Sequence, residues 1–191
     1  MEIVAITTDR LDDFGALQRT QQESTGCWCM WFIRRVADYR AAGDAGNRAA
    51  LAQLMDASPT PMGLLAYDDS GHVTGWCAVG PRSRYARAVK APTLRGRDPT
   101  EDDEVWLAPC FLVKPGGRRI GVASALLDAA VDLATRCGAK AVEGFPLSGS
   151  KARSRSADLM TGTETLFAGC GFSAIQRPSD NRVIMRRDIE G

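Results

Sequence analysis

Histidine is all but missing from this chain: His72 is the only one in 191 residues. It lies in a glycine-containing turn, so a Ser/His/Asp or Cys/His nucleophilic arrangement is disfavoured at the outset. The six cysteines include one C-x-C, Cys27 and Cys29, while Cys77, Cys110, Cys137 and Cys170 stand singly in apolar stretches. A structural zinc site wants paired C-x₂-C or an H-x₃₋₅-H arm, and neither is present. No apolar run approaches the ~18 residues of a membrane helix. The opening Met1-Glu2-Ile3-Val4 lacks the basic and apolar regions of a secretory leader, so a soluble cytoplasmic protein with unpaired thiols is expected. Charge of one sign is missing too: 24 Lys and Arg oppose 23 Asp and Glu, leaving +1. That balance gives no pull toward nucleic acid or anionic lipid.

What is present is a core. Hydrophobic residues make up 45% of the chain, which argues against disorder, and the length suits one domain of roughly 100–200 residues. Residues 3–6 read as a short strand. Thr8 or Asp9 then caps a helix bearing Leu11, Phe14 and Leu17. Residues 27–32 are a dense aromatic patch of unassigned state. Residues 47–55 carry a helical stripe of Ala50, Leu51, Leu54 and Met55. Two apolar runs, 62–67 and 73–79, flank Asp68-Asp69-Ser70-Gly71 and predict a β-hairpin. Residues 82–97 hold six Arg or Lys without apolar periodicity and read as a surface loop or short helix. Five acids follow within 98–104, and a charge run of this kind is ordinarily a solvated loop.

The informative stretch is 105–127. A buried-type strand (105–113) leads into Lys114-Pro115-Gly116-Gly117-Arg118-Arg119-Ile120-Gly121, then a helix with Val122, Ala125, Leu126, Ala129, Ala130, Leu133 and Cys137 at helical spacing. Gly138 ends it, and 139–145 begins another strand, so the two strands are expected to run parallel. The first amides of such a helix have no helical partner, and Gly121 and Ala123 leave them open to close approach. With the positive end of the helix dipole, these amides suit a pyrophosphate, and Arg118 and Arg119 add charged donors. Both the Lys-Ser/Thr of a nucleoside-triphosphate loop and the three-glycine dinucleotide fingerprint are missing. On spacing alone, an ordinary strand-to-helix turn with solvated arginines remains the alternative.

Arg118-x-x-Gly121-x-Ala123, preceded by Val113-x-Pro115 and followed by Ala125-Leu126-Leu127, resembles the acyl-CoA-binding motif of the Gcn5-related N-acetyltransferases, the GNAT superfamily. Thr165-Leu166-Phe167-Ala168-Gly169-Cys170-Gly171-Phe172 resembles that family's last helix, with Val183-Ile184-Met185-Arg186 as its last strand. The resemblance implies one domain over 1–191, with a motif-bearing core at about 62–187. Its fold would be α/β: a mixed, mostly antiparallel sheet with a splayed central strand pair and helices on both faces. Acetyl-CoA would lie between the central strands, which part after Val113 and near Phe145. Its pyrophosphate would meet Arg118, Arg119, Gly121, Val122, Ala123 and Ser124, and its pantetheine would pair with Phe111, Leu112 and Val113. The backbone amide near Leu112 or Val113 would polarise the thioester carbonyl. A primary amine, on a small molecule or on a protein, would then attack the thioester directly. A non-catalytic acyl-CoA sensor is the alternative.

Two departures from the family pattern bear on chemistry. Phe167 occupies the position of the tyrosine that protonates the leaving thiolate, although its ring still adjoins the cofactor site. Leu107 and Pro109 stand where a general base is usual. Glu143, an acid in an apolar strand, and Glu104 are the remaining candidates, with a solvent-facing position or an ion pair to an arginine as the other readings of Glu143. Cys110 reads as core packing before it reads as a nucleophile. Trp28, Trp31, Trp76 and Tyr85 are candidates for an acceptor pocket, against core packing. Neither nucleic acid, membrane nor metal is expected as a partner, and a homodimer is the default assembly.

Overall fold

The computed structural model describes residues 1–117, 120–148 and 160–189. Arg118 and Arg119 therefore lie outside the described residues. The strands are β1 (Glu2–Ala5), β2 (Gly63–Tyr67), β3 (Val73–Pro81), β4 (Val105–Val113), β5 (Ala141–Gly144), β6 (Ser173–Ser179) and β7 (Arg182–Asp188). The helices are α1 (Leu11–Gln18), α2 (Val36–Ala57), α3 (Val122–Arg136) and α4 (Glu164–Gly169). One sheet forms in the order β1-β2-β3-β4-β5-β7-β6. Every neighbouring pair is antiparallel except β4 and β5, which the α3 crossover makes parallel.

Helices cover both faces, as expected. On one face α3 and α4 bury Val122, Leu126, Leu127, Val131 and Phe167 against Trp106, Phe111 and Val142. Each large apolar side chain so buried contributes about 1.5–3 kcal/mol. On the other face α1 and α2 set Phe14, Leu17 and Leu51 over Leu65, Trp76, Cys110 and Leu112. The alternation of Phe111 with Cys110 and Leu112 follows from the period-2 pleat of β4.

Two elements depart from expectation, and the unassigned aromatic patch takes a definite form. Helix α2 begins eleven residues before the expected 47, and it is broken at Gly43 (φ 59°, ψ −162°). The aromatic patch becomes a 3₁₀ turn, Met30–Phe32, entered through Trp28 and Cys29 with φ of 48° and 55°. Residues 82–97 are not a surface loop. Arg82, Tyr85 and Leu94 are each only 1% exposed, because the segment folds down over the β4–β5 end of the sheet.

The centre of the sheet opens at one point. Gly80 pairs with Leu107, but Ala78 pairs with Cys110, so Ala108 and Pro109 together stand opposite Val79. This is a β-bulge, and Pro109 suits it because proline brings no N–H to the ladder. The β4–β5 ladder ends at the neighbouring pair, Leu107 with Glu143. The strands therefore part at Ala108 and Gly144, five residues before the expected Val113.

Candidate active site

The cleft between β4 and β5 is bounded at its wide end by the start of α3. Gly121 takes φ +87°, a left-handed conformation in which a side chain would be strained, and offers no side chain to cap the helix. The first helical hydrogen bond is donated by the Ala125 amide to Gly121 O, at 3.0 Å. The amides of Val122, Ala123 and Ser124 thus precede the helical ladder, and no acid stands in the first turn to neutralise them.

The backbone direction of β4 follows from a single bond. Lys114 N–H donates to Thr74 O at 2.9 Å in the register that pairs Trp76 with Leu112. Hydrogen-bonded pairs alternate in an antiparallel ladder, so Leu112 turns its amide and carbonyl toward β3. Phe111 and Val113 turn theirs toward the gap. Gln21 confirms the direction, donating its side-chain N–H to Val113 O at 3.0 Å. The expectation that Leu112 pairs with pantetheine or polarises a thioester is therefore corrected; Phe111 and Val113 carry the open edge.

Phe167 is fully buried between the parting strands. Its ring meets Phe111 and Phe172 edge-on at 5.9 and 5.0 Å. A Cβ on Gly144 would sit 2.2 Å from that ring, so β5 can pass it only as glycine. Phe167 is a floor to the cleft with no proton to give.

Glu143 is 3% exposed, and both of its oxygens are committed: Arg82 Nη1 lies 3.1 Å from Oε2 and Arg186 Nη1 3.1 Å from Oε1. Glu101 and Asp102 complete the cluster, the latter paired bidentately with Arg97. Arg82 Nε comes within 3.1 Å of Asp102 yet lacks hydrogen-bond geometry there. Of the readings weighed for Glu143, the structure shows the ion pair and not a solvent-facing side chain, and this commitment of both oxygens argues against a base. Glu104 is about half exposed and bridges Lys140 at 2.6 Å, at the end of β4 away from the start of α3. Cys110 is buried among core residues.

A cavity of about 690 Å³ adjoins the point where the strands part. Phe145, the residue after β5, forms part of its wall with Trp31, Phe32, Arg87, Lys90 and Arg182. Among the acceptor candidates only Trp31 faces it. The Arg87 guanidinium stacks 3.7 Å from the Trp31 ring centroid and donates to Trp31 O at 2.6 Å. Trp28 is core, its indole N–H donating to Asp44 at 2.6 Å. Tyr85 is also core, packed with Leu107, Phe145 and Ile184, and burial pushes its phenol upward. Sequence reasoning does not find Arg182; Arg87 and Lys90 are legible as members of the basic run, but the fold that brings them to this wall is not. Among the described residues no group of His, Cys, Asp and Glu could hold a metal ion.

No protein-family model matches the sequence, and no curated protein matches it. Solved structures do. The chain is similar to a ribosomal-protein-alanine N-acetyltransferase from Brucella melitensis, with 15% identity and a TM-score of 0.61 over 99% of this chain and all of that one. It is similar to the PaiA N-acetyltransferase of Thermoplasma acidophilum, solved with coenzyme A, with 13% identity and a TM-score of 0.57 over 98% of each chain. A phosphinothricin acetyltransferase from Sinorhizobium meliloti, solved with acetyl-CoA, gives 13% identity and 0.58 over 98% of this chain and 88% of that one. At these identities the likeness is one of architecture: the chain has the fold of the GNAT-superfamily acetyltransferases.

Proposed function

We propose that this protein is an N-acetyltransferase that moves an acetyl group from acetyl-CoA to a primary amine in a ternary complex. The observation that carries the proposal is the junction of two features: the uncapped start of α3 and the open backbone edge of β4. The amides of Gly121, Val122, Ala123 and Ser124 would bind the diphosphate, with Arg118 and Arg119 as additional donors. Pantetheine would lie along Phe111 and Val113 as an added strand, taking over the Val113 carbonyl from Gln21.

The Phe111 amide, the first after the bulge to turn into the gap, would polarise the thioester carbonyl. A neutral amine entering from the 690 Å³ cavity attacks that carbon. The tetrahedral adduct collapses with the thiolate leaving, and the amine's proton passes to water. Holding the two reactants together supplies much of the acceleration, where well-oriented reactions gain about 7–11 kcal/mol. No described helix is long and apolar enough to cross a membrane. A cytoplasmic location and one catalytic domain per chain fit this function.

Ala123→Glu is the test. An acid in the first turn is favourable to a helix by about 0.3–1 kcal/mol, so the variant should fold at least as well as the parent. It should lose the thermal shift that saturating acetyl-CoA gives the parent: about 2.7 kcal/mol at 100 times Kd, or roughly 5–11 °C for a domain this size. Thiol release with an amine panel should vanish with it. A parental shift in the variant places the carrier elsewhere. A shift without thiol release on any amine favours the sensor reading, which the hydroxyl-free Phe167 supports.

A further inference from the structure

The described wall of the acceptor cavity is charged in one sense only. Arg87, Lys90 and Arg182 line it, and no Asp or Glu does among the described residues. Two of these cations are held in place. Arg182 donates to Phe145 O at 3.0 Å and to the Thr161 hydroxyl. Arg87 is fixed by Trp31, and the amides of Arg87 and Ala88 both donate to Phe32 O at 3.1 Å. Lys90 is exposed at the rim. Trp31, Phe32 and Phe145 give the wall flat apolar surface, and Thr93 and Thr161 are its uncharged polar members.

A pocket built to admit a simple alkylammonium, a polyamine or a lysine side chain would present carboxylates or bare aromatic faces to the cation. This one repels a lone ammonium and covers the Trp31 face with a guanidinium. A molecule that carries its own oxyanion beside the amine meets the opposite field. Fixed cations also favour the uncharged form of an amine brought among them, which is the nucleophilic form. That bears directly on a site where Glu143 is committed to arginines and Leu107 and Pro109 hold the usual base positions. The volume lies within the range of small-molecule sites.

We infer that the acceptor is a small primary amine bearing its own oxyanion on an apolar or aromatic body, as in a free hydrophobic amino acid, held by Arg87 and Lys90 against Trp31 and Phe145. This rests on the acetyl-transfer proposal and specifies its acceptor.

The test compares phenylalanine, its phosphonate analogue, phenylalaninamide and phenethylamine, with a short amidated peptide as the macromolecular arm. Thiol release should favour an oxyanion-bearing amine over both neutral-ended amines by tenfold or more in kcat/KM; the first two arms say whether carboxylate or phosphonate is preferred. Lys90→Glu, at an exposed position, should cut kcat/KM for the preferred acid about tenfold through KM. It should leave phenylalaninamide unimpaired or improve it, because a lone ammonium then meets less positive charge. Equal or better use of the amide, phenethylamine or the peptide overturns the inference, as does an equal effect of Lys90→Glu on acid and amide. If acetyl-CoA binds but nothing turns over, the same compounds are compared by thermal shift on the CoA-loaded protein. Stabilisation by the acids alone sustains the inference, and none by any compound defeats it. Failure of acetyl-CoA to bind defeats the acetyl-transfer proposal separately.

Discussion

Glu143→Gln separates an ion-pair anchor from a catalytic base at a single atom's cost in shape. The change removes the charge, while the amide oxygen can still accept from one arginine. Arg82 would retain Asp98 O at 2.8 Å, Asp102 at 3.1 Å and Glu101 at 3.4 Å; Arg186 would retain Asp188 at 2.7 Å and Glu101 at 3.2 Å. Breaking a buried pair outright costs about 3–5 kcal/mol, because the abandoned charge stays out of water. With carboxylates remaining around both arginines, the loss should be nearer 2–3 kcal/mol. In a domain of this size each kcal/mol moves Tm by about 2–4 °C, so the midpoint should fall by roughly 4–12 °C. Arg82 and Glu143 are 1% and 3% exposed, so the fall should be nearly the same at low and high salt. Differential scanning calorimetry reads the midpoint, and acetyl transfer well below it reads the chemistry. The kcat/KM should stay within about threefold, with an unshifted pH profile. A parental Tm with a large rate loss and a missing acid limb would refute the anchor and restore Glu143 as the base.

Three further outcomes follow from contacts already described. Gly144→Ala should destabilise the fold by about 1–3 kcal/mol through overpacking, since its Cβ would lie 2.2 Å from the Phe167 ring. Adding Phe167→Leu should recover part of that loss, and a double-mutant cycle by urea unfolding would show the coupling; strict additivity would count against the contact. Of the six thiols only Cys137 is exposed, while burial pushes Cys27 and Cys170 up to about 11 and raises Cys77, and a hydrogen bond with Cys110, together with burial, raises Cys29. A disulfide reagent at about pH 8 should therefore show one rapid equivalent, abolished by Cys137→Ser, because the thiolate is the reactive form. As pH rises toward 11, Cys27 and Cys170 ionise and slower equivalents should appear; a second rapid equivalent at pH 8 would contradict the packing.

The central β4–α3–β5 unit was legible because its apolar positions repeat at periods the backbone enforces, and the hairpin of β2 and β3 because two apolar runs flank a turn. The fold class followed from these and from the resemblance in the last helix and strand. Residues 82–97 were not legible, for a physical reason. Their burial is achieved through Arg82 pairing with Glu143, Glu101 and Asp102, and a buried arginine looks in sequence like a solvated one. The first half of α2 is rich in charge and glycine and carries no apolar stripe to announce it. Within the site, the glycine at the start of α3 was readable from its motif. The parity of β4 was not, because one inserted residue at Ala108–Pro109 resets which amides face the gap. Pro109 is the visible trace of that insertion, though in the sequence it marks only a missing base.

Gln21 has a bearing on how the protein behaves with nothing bound. A strand whose outer carbonyls and amides look into a gap is a template for any stray extended peptide, including a neighbouring molecule's. By donating to the Val113 carbonyl, the glutamine stands in for the missing strand and blunts that template. Guest binding at this position is then an exchange of one donor for another, so the contact adds little affinity of its own and works as a gatekeeper. Chains with the side chain shortened there should be stickier toward one another rather than weaker toward the guest.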